Sequence, residues 1–299
     1  GDHYRPAPIF ASVERWRTVA PGRRVEVPAS AGAAVRDRLL GVYLSQSVDI
    51  VDRRIGESTD LDLGARLALG FRQGPLELLA ALGEAESDRI LARFVAERPG
   101  MPTRRQPFAA YGRFLRHLLV DTVGAVKVIT LRRPEALNAL HDGMTDEILA
   151  VIRAHENDGA TAGFVIVGYG TRAFCAGADI GRFPDLLGNA DAAAGYARDC
   201  SRLLLHLDSM TKPVVAAING LALGGGLELA MRCHALVAVR GASLQFPEIM
   251  LGILPGLGGL VVPYRRWPAA AATFHGMIRR GDRLDAERAA ALGIVGALT

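Results

Sequence analysis

Apolar positions change their spacing along this chain. From Ala31 to about Glu97 they recur at helical intervals. In "AVRDRLLGVYLSQSVDIVDRRI", Leu39, Leu40, Tyr43, Leu44, Val48 and Val51 follow a period of about 3.6. "STDLDLGARLAL" offers Ser58 or Thr59 as an N-cap with acids in the first turn. Gly74-Pro75 breaks the pattern, and "LELLAALG" resumes it. No strand pattern appears here, so the spacing predicts a separate all-helical domain over 31–97. Residues 1–30 read as an irregular lead-in. "RPGMPTRRQP" predicts a linker over 98–118.

From residue 119 to the end the pattern alternates between two periods. "AVKVITL" reads as a strand and "DGMTDEILAVIRAHEND" as an amphipathic helix. "GFVIVGYG" reads as a buried strand, "CSRLLLHLDSM" as a helix, and "PVVAAIN" and "ALVAV" as strands. Strands alternating with helices predict an α/β domain with parallel pairing.

Charge and cysteine content narrow the classes. Half of the 299 residues are hydrophobic and 22% are charged, which suits a packed soluble core. The net charge is +4, and no run of five basic residues occurs, so nucleic acid is not an expected partner. Cys175, Cys200 and Cys233 lack zinc-type spacing and read as reduced thiols of a cytoplasmic protein. The longest uncharged runs, 213–227 and 249–264, are too short for a bilayer and are broken by Gly and Pro, so no membrane partner is expected. No charged-then-apolar leader opens the sequence.

The unusual stretch is "LALGGGLELA". Its glycines fall between the strand Val214–Ile218 and a helix expected over Leu227–Cys233. The unpaired N–H groups of a helix start suit negative charge. Three readings are open: a phosphate loop, an oxyanion hole, or close packing of helix on sheet. Neither a Walker lysine nor G-x-G-x-x-G spacing is present. "RAFCAGADI" is a second loop of small residues after a strand, able to supply another N–H. Glu228 and Glu248 each stand beside a glycine-rich loop in apolar surroundings. Two such carboxylates resist double ionisation and can share one proton near neutral pH.

"AFCAGADI", "KPVVAAINGLALGGGLELA" and "FPEIMLGILPGLGG", with "LRRPEALNAL" before them, resemble the enoyl-CoA hydratase/isomerase (crotonase) family in order and spacing. The resemblance covers about Val120 to the end. It implies a spiral of ββα units, with Ala178 and Gly225 N–H groups as the oxyanion hole for a CoA thioester. It implies Glu228 and Glu248 as the acid/base pair, Gly256 as a contact to the catalytic water, and Ala136, Leu137, Ala176 and Asp179 as positions lining the CoA pocket. Both glutamates together favour hydration of trans-2-enoyl-CoA. The alternatives are a Δ3-Δ2 enoyl-CoA isomerase and a non-catalytic acyl-CoA-binding or scaffold module. The family implies no metal or redox cofactor and a homotrimer or hexamer. It also carries a further helical segment after "DAERAAALGIV", so this sequence reads as a truncated copy.

The helical part, with "GF…GPLELL", is similar to the C-terminal domain of 3-hydroxyacyl-CoA dehydrogenases. The order of the two parts resembles dehydrogenase–hydratase fusion proteins. NAD would enter only with an upstream dehydrogenase domain, since no dinucleotide fingerprint is present. Two positions depart from the family. His234 replaces the usual Asp and reads as a structural strand start. Gln245 replaces a common Gly and is expected to reshape the acyl pocket. His141 and His155 read as solvated surface rather than metal ligands. Cys175 reads as a core filler, and Trp16 and Trp267 as packing residues.

Overall fold

The computed structural model describes residues 26–112, 115–182, 184 and 188–299. Packing divides the chain into two compact units. The first holds described residues 26–65 and 71–112; the second holds 113–299 with 66–70. The expected lead-in lies almost entirely outside the described residues, as does Trp16.

The first unit is helical: α1 (Ala29–Asp52), α2 (Ser58–Leu69), α3 (Pro75–Leu82), α4 (Glu84–Glu97) and the short α5 (Phe108–Tyr111). Leu44 and Val48 of the stripe expected on α1 are fully buried, and Leu40, Tyr43 and Val51 are half-buried. Leu39 is 66% exposed, whereas Asp37 and Gly41 are buried. The reason is packing against α4. A Cβ on Gly41 would lie 2.6 Å from Phe94 Cβ, so only glycine lets the helices approach here. Arg89 and Arg93 pair with the buried Asp37 carboxylate at 2.8 and 3.0 Å.

The expected linker is also corrected. Residues 98–112 belong to the helical unit, because buried Tyr111 donates its hydroxyl to Asp52 on α1 at 2.7 Å. The same Asp52 accepts the Arg105 N–H at 2.9 Å. Leu118 already starts the first strand.

The second unit contains two sheets. Its strands are β1 (Leu118–Val123), β2 (Val126–Leu131), β3 (Gly163–Gly168), β4 (Ala173–Cys175), β5 (Val214–Ile218), β6 (Leu221–Leu223), β7 (Ala235–Ala238), β8 (Ser243–Gln245), β9 (Arg283–Asp285) and β10 (Ala297–Leu298). The larger sheet runs β1-β2-β3-β5-β7-β10, and the smaller runs β4-β6-β8-β9. Each of the pairs β3/β4, β5/β6 and β7/β8 gives its first strand to the large sheet and its second to the small one. The chain therefore advances one strand in both sheets per turn, which is the expected ββα spiral.

Helices cover the sheets: α6 (Asp142–His155), α7 (Ala190–Ser209), α8 (Gly225–Arg232), α9 (Val262–Arg266), α10 (Ala271–Arg280) and α11 (Ala286–Ala291). On α6, Met144, Ile148, Leu149 and Ile152 face inward at helical spacing. They join one core with Ile129 of β2, Ile166 of β3 and Leu203 of α7. β6 was not expected between the strand and the glycines, because three residues give too little alternation to read.

Gly74-Pro75 has a specific partner. Asp62 of α2 accepts the Leu76 and Glu77 N–H groups at 2.7 and 2.9 Å, capping α3. A Cβ on Gly74 would lie 2.2 Å from the Asp62 carboxyl carbon. Asp62→Ala is expected to lower the stability of the helical unit by about 1–3 kcal/mol. Urea unfolding followed by circular dichroism measures this; an unchanged midpoint would contradict the capping role.

Candidate active site

Three short parallel strands of the small sheet, β4, β6 and β8, end side by side. The loop after β4 brings Ala176–Ala178, the loop after β6 brings Gly224 and Gly225, and the segment after β8 brings Glu248. All these residues line one apolar cavity of about 350 Å³, with Glu228 and Gly256.

The three glycines differ in their demands. Gly224 has φ +46°, and a Cβ there would lie 2.6 Å from Glu248 Oε1. Gly226 packs against β4, where a Cβ would fall 2.4 Å from the Cys175 carbonyl oxygen. Gly225 opens α8, so its N–H has no partner within the helix. Ala178 is bridged to Leu140, which takes the Gly177 carbonyl and the Asp179 N–H, each at 2.7 Å. The pleat then turns the Ala178 N–H away from Leu140. A Cβ on Gly225 would lie 3.3 Å from the Ala178 nitrogen, so the two N–H groups are close neighbours. Both residues line the cavity.

The two carboxylates are held differently. Glu228 is 4% exposed, and its Oε1 accepts from Leu257 N–H at 2.8 Å and Gly259 N–H at 2.7 Å. Burial raises its pKa, while those bonds and the Arg232 charge pull against the rise. Glu248 is 8% exposed, and its Oε2 has no hydrogen-bond partner among the described residues. Burial pushes Glu248 up to about 7, and the Glu228 charge acts in the same direction. One carboxylate is thus wired to backbone donors, and its neighbour keeps an oxygen free to carry a proton.

Ala136 and Leu137 lie beside this loop cluster rather than among the cavity-lining residues. The Leu137 carbonyl accepts the Ala176 N–H at 3.0 Å. Asp179 pairs with Arg133 at 2.8 Å and accepts the Gly181 N–H at 3.0 Å. Burial works against its charge, but these partners hold its pKa below the ordinary carboxylate value. Asn138 was missed by sequence reasoning. It is buried at φ +60° and ties its turn to the start of β4 through the Ala173 carbonyl at 2.9 Å. Its signal is an Asn at a tight turn. Tyr196 and Cys200 of α7, also missed, form a wall of the cavity.

The departures settle away from the cavity. Gln245 donates to the Gly281 carbonyl at 2.7 Å and does not line the cavity, which corrects its expected effect on the acyl pocket. His234 Nδ1 accepts the Val214 N–H at 3.1 Å, a strand-start role as expected. His141 is not a solvated surface residue. Its ring packs edge-on against His117 with centroids 4.3 Å apart, and its Nδ1 accepts the Met144 N–H at the start of α6. Among the described residues no group of three metal-ligating side chains occurs. Cys175 is a buried core thiol pushed up to about 12 by its surroundings. Trp267 packs near Phe274 and under Arg266.

The ββα spiral thus brings Glu228, Glu248 and the backbone of Ala178 and Gly225 to one cavity. Residues 121–299 match the family described as enoyl-CoA hydratase/isomerase, and the chain belongs to that family. Residues 35–113 match the 3-hydroxyacyl-CoA dehydrogenase C-terminal domain. A probable enoyl-CoA hydratase of Rhizobium meliloti is 40% identical over 60% of this chain and 66% of its own length. The mitochondrial enoyl-CoA hydratase of Pongo abelii is 38% identical over 64% of each chain. A solved enoyl-CoA hydratase subunit from Geobacillus kaustophilus aligns with a TM-score of 0.55 at 35% identity, covering 61% of this chain and 68% of its own. The chain spans slightly less than two thirds of the length of these curated relatives.

Glu248 is expected to titrate near pH 7 in the free protein. Because its folded pKa is raised, its contribution favours folding below the ordinary carboxylate range and is lost as pH rises toward 7. Isotope-edited infrared spectra of the glutamate carboxyls give the midpoint. Glu228→Gln removes a like charge and should lower that midpoint; a midpoint that stays put or rises contradicts the coupling.

Proposed function

We propose that the second unit is an enoyl-CoA hydratase, adding water to a trans-2-enoyl-CoA to give a 3-hydroxyacyl-CoA, a step of fatty acid β-oxidation. The observation that carries this reading is the pairing of two buried glutamates on one cavity with the Ala178 and Gly225 N–H groups. The thioester oxygen would accept both N–H groups and gather charge as the double bond is attacked. Glu228, the wired carboxylate, takes a proton from water as the water oxygen bonds to C3. Glu248 gives its proton to C2. Both transfers occur on one face, so addition is syn. Gly256, at the cavity wall, would offer its backbone to the same water.

Ala136, Leu137, Ala176 and Asp179 would frame the CoA portion. The scheme needs neither metal nor redox cofactor. The dehydrogenase-type helical unit supports placing this activity in a dehydrogenase–hydratase fusion, where NAD would serve the dehydrogenase alone. Exposed Met250, Leu251 and Leu254 beside the cavity are surface that a homotrimer or hexamer would cover. The buried free thiols suit a reducing, cytoplasmic setting.

The test is loss of the conjugated enoyl thioester absorbance of crotonyl-CoA, with formation of 3-hydroxybutyryl-CoA. Glu228→Gln and Glu248→Gln should each reduce turnover by about 10²–10⁴-fold. Shift of a 3-enoyl-CoA double bond without hydration would instead identify an isomerase. CoA-ester binding without turnover would identify a non-catalytic module.

A further inference from the structure

Glu228 and Arg232 stand four residues apart on α8, so helical geometry places them on one face. They hold opposite sides of the same turn. On the inner side, Glu228 accepts the Leu257 and Gly259 N–H groups. On the outer side, Arg232 Nη2 donates to the Leu257 carbonyl at 3.4 Å. The guanidinium occupies the space beside Gly258 that a side chain would take. A Cβ there would fall 2.5 Å from Nη2 and 3.2 Å from Cζ, and Gly258 has φ +116°. The turn is thus clamped between a carboxylate and a guanidinium carried by one helix.

Arg232 is itself held from behind. Its Nη1 forms an ion pair with Asp208 in the last turn of α7. The arginine is 14% exposed and the aspartate 46%. Arg232 Nε is buried with no acceptor among the described residues. A buried N–H left unpaired costs free energy that an apolar side chain of similar volume would not. The ion pair with Asp208 joins α8 to α7 through one arm of the guanidinium, and the other arm is turned to the Leu257 carbonyl on the side of Glu228.

We propose that Arg232, braced by Asp208, is a positioning residue for the acid–base step. It fixes the turn that hands two N–H groups to Glu228, and it places a positive charge behind that carboxylate. This rests on the hydratase reading only for what the step is. Glu248, from the 3₁₀ turn Glu248–Leu251, lines the same cavity as Glu228, and α9 carries Arg266 beside the C-terminal end of α8. Arg266 is committed to the carbonyls of Met231, Cys233 and His234. That leaves Arg232 as the cation whose charge opposes the burial of Glu228.

The experiment uses the full chain with Arg232→Gln and Arg232→Lys, measuring kcat and KM for crotonyl-CoA hydration against pH. Arg232→Gln should lower kcat by about tenfold to a hundredfold, because a misplaced catalytic group costs that much. KM should change little. The acid limb of kcat/KM should move to higher pH, because Glu228 loses the charge that keeps it ionised. Arg232→Lys should restore the limb but only part of kcat, since an ammonium cannot fork between Asp208 and the Leu257 carbonyl. A purely structural arginine would lower the unfolding midpoint and leave the acid limb in place; that result, or wild-type kcat in Arg232→Gln, overturns the proposal. If Arg232→Gln does not fold, Arg232→Lys and Asp208→Asn decide: lowered kcat at unchanged KM in both supports it, and wild-type kcat in either overturns it. If the wild-type protein does not hydrate crotonyl-CoA, the hydratase reading fails separately. The infrared titration of Glu228 then decides: a higher midpoint in Arg232→Lys's neutral counterpart, Arg232→Gln, upholds the positioning role, and an unmoved one removes it.

Discussion

Everything at the site depends on three parallel strands of three residues ending side by side. β4, β6 and β8 are too short to bury much surface, yet their parallel register fixes where the chain leaves the sheet. Each exit delivers one part: an N–H from Ala178, an N–H from Gly225, a carboxylate from Glu248. A slip of one residue in β6 would turn its side chains to the opposite face and misplace the start of α8. The large sheet prevents the slip. β3, β5 and β7 pair in parallel along four-residue ladders, and each feeds its small-sheet partner through a short connection. The core of Ile, Val and Leu side chains between sheet and helices thus acts at a distance on the placement of two amide hydrogens.

Once the loops are placed, electrostatics separates the two glutamates. They share a cavity whose walls are almost wholly apolar, so each pays for its charge by desolvation and by the other's presence. The separation comes from unequal hydrogen bonding. Glu228 receives two backbone donors and a nearby arginine. Glu248 keeps Oε2 without a protein donor among the described residues. The same burial therefore leaves one group better suited to accept a proton and the other to give one.

The sequence showed the residues that line the cavity more clearly than the scaffold that holds them. The glycine run, Glu228 and Glu248 were visible because three adjacent glycines and two acids in apolar stretches break ordinary patterns. Helix α6 was visible for the opposite reason: fourteen residues repeat one face. β4, β6, β8 and β9 were not, because three residues carry no measurable period. On α1 the spacing found Leu44 and Val48 but not Gly41 and Asp37, which are buried with them and which hydrophobic spacing does not count. The segment 98–112 looked like a linker from its Pro, Gly and Arg content. Its attachment rests on pairings between distant positions: Tyr111 with Asp52, Ser45 with the Pro102 carbonyl, and Arg104 with Asp88. Asn138 and Gln245 likewise act through backbone groups that a sequence does not reveal, Asn138 through the Tyr169 and Ala173 carbonyls and Gln245 through that of Gly281.

Glycine placement joins these levels. At Gly226 the requirement is steric, since the Cys175 carbonyl occupies the space of a side chain. At Gly224 it is steric and conformational together, since φ is positive and Glu248 Oε1 lies where a Cβ would be. A methyl group at Gly226 would push α8 away from β4 and carry Glu228 with it. A methyl group at Gly224 would strike the acid directly. The run that looks in sequence like a flexible loop is therefore among the most constrained segments of the chain. Its lack of side chains lets a helix start, a strand end and a carboxylate occupy nearly the same place.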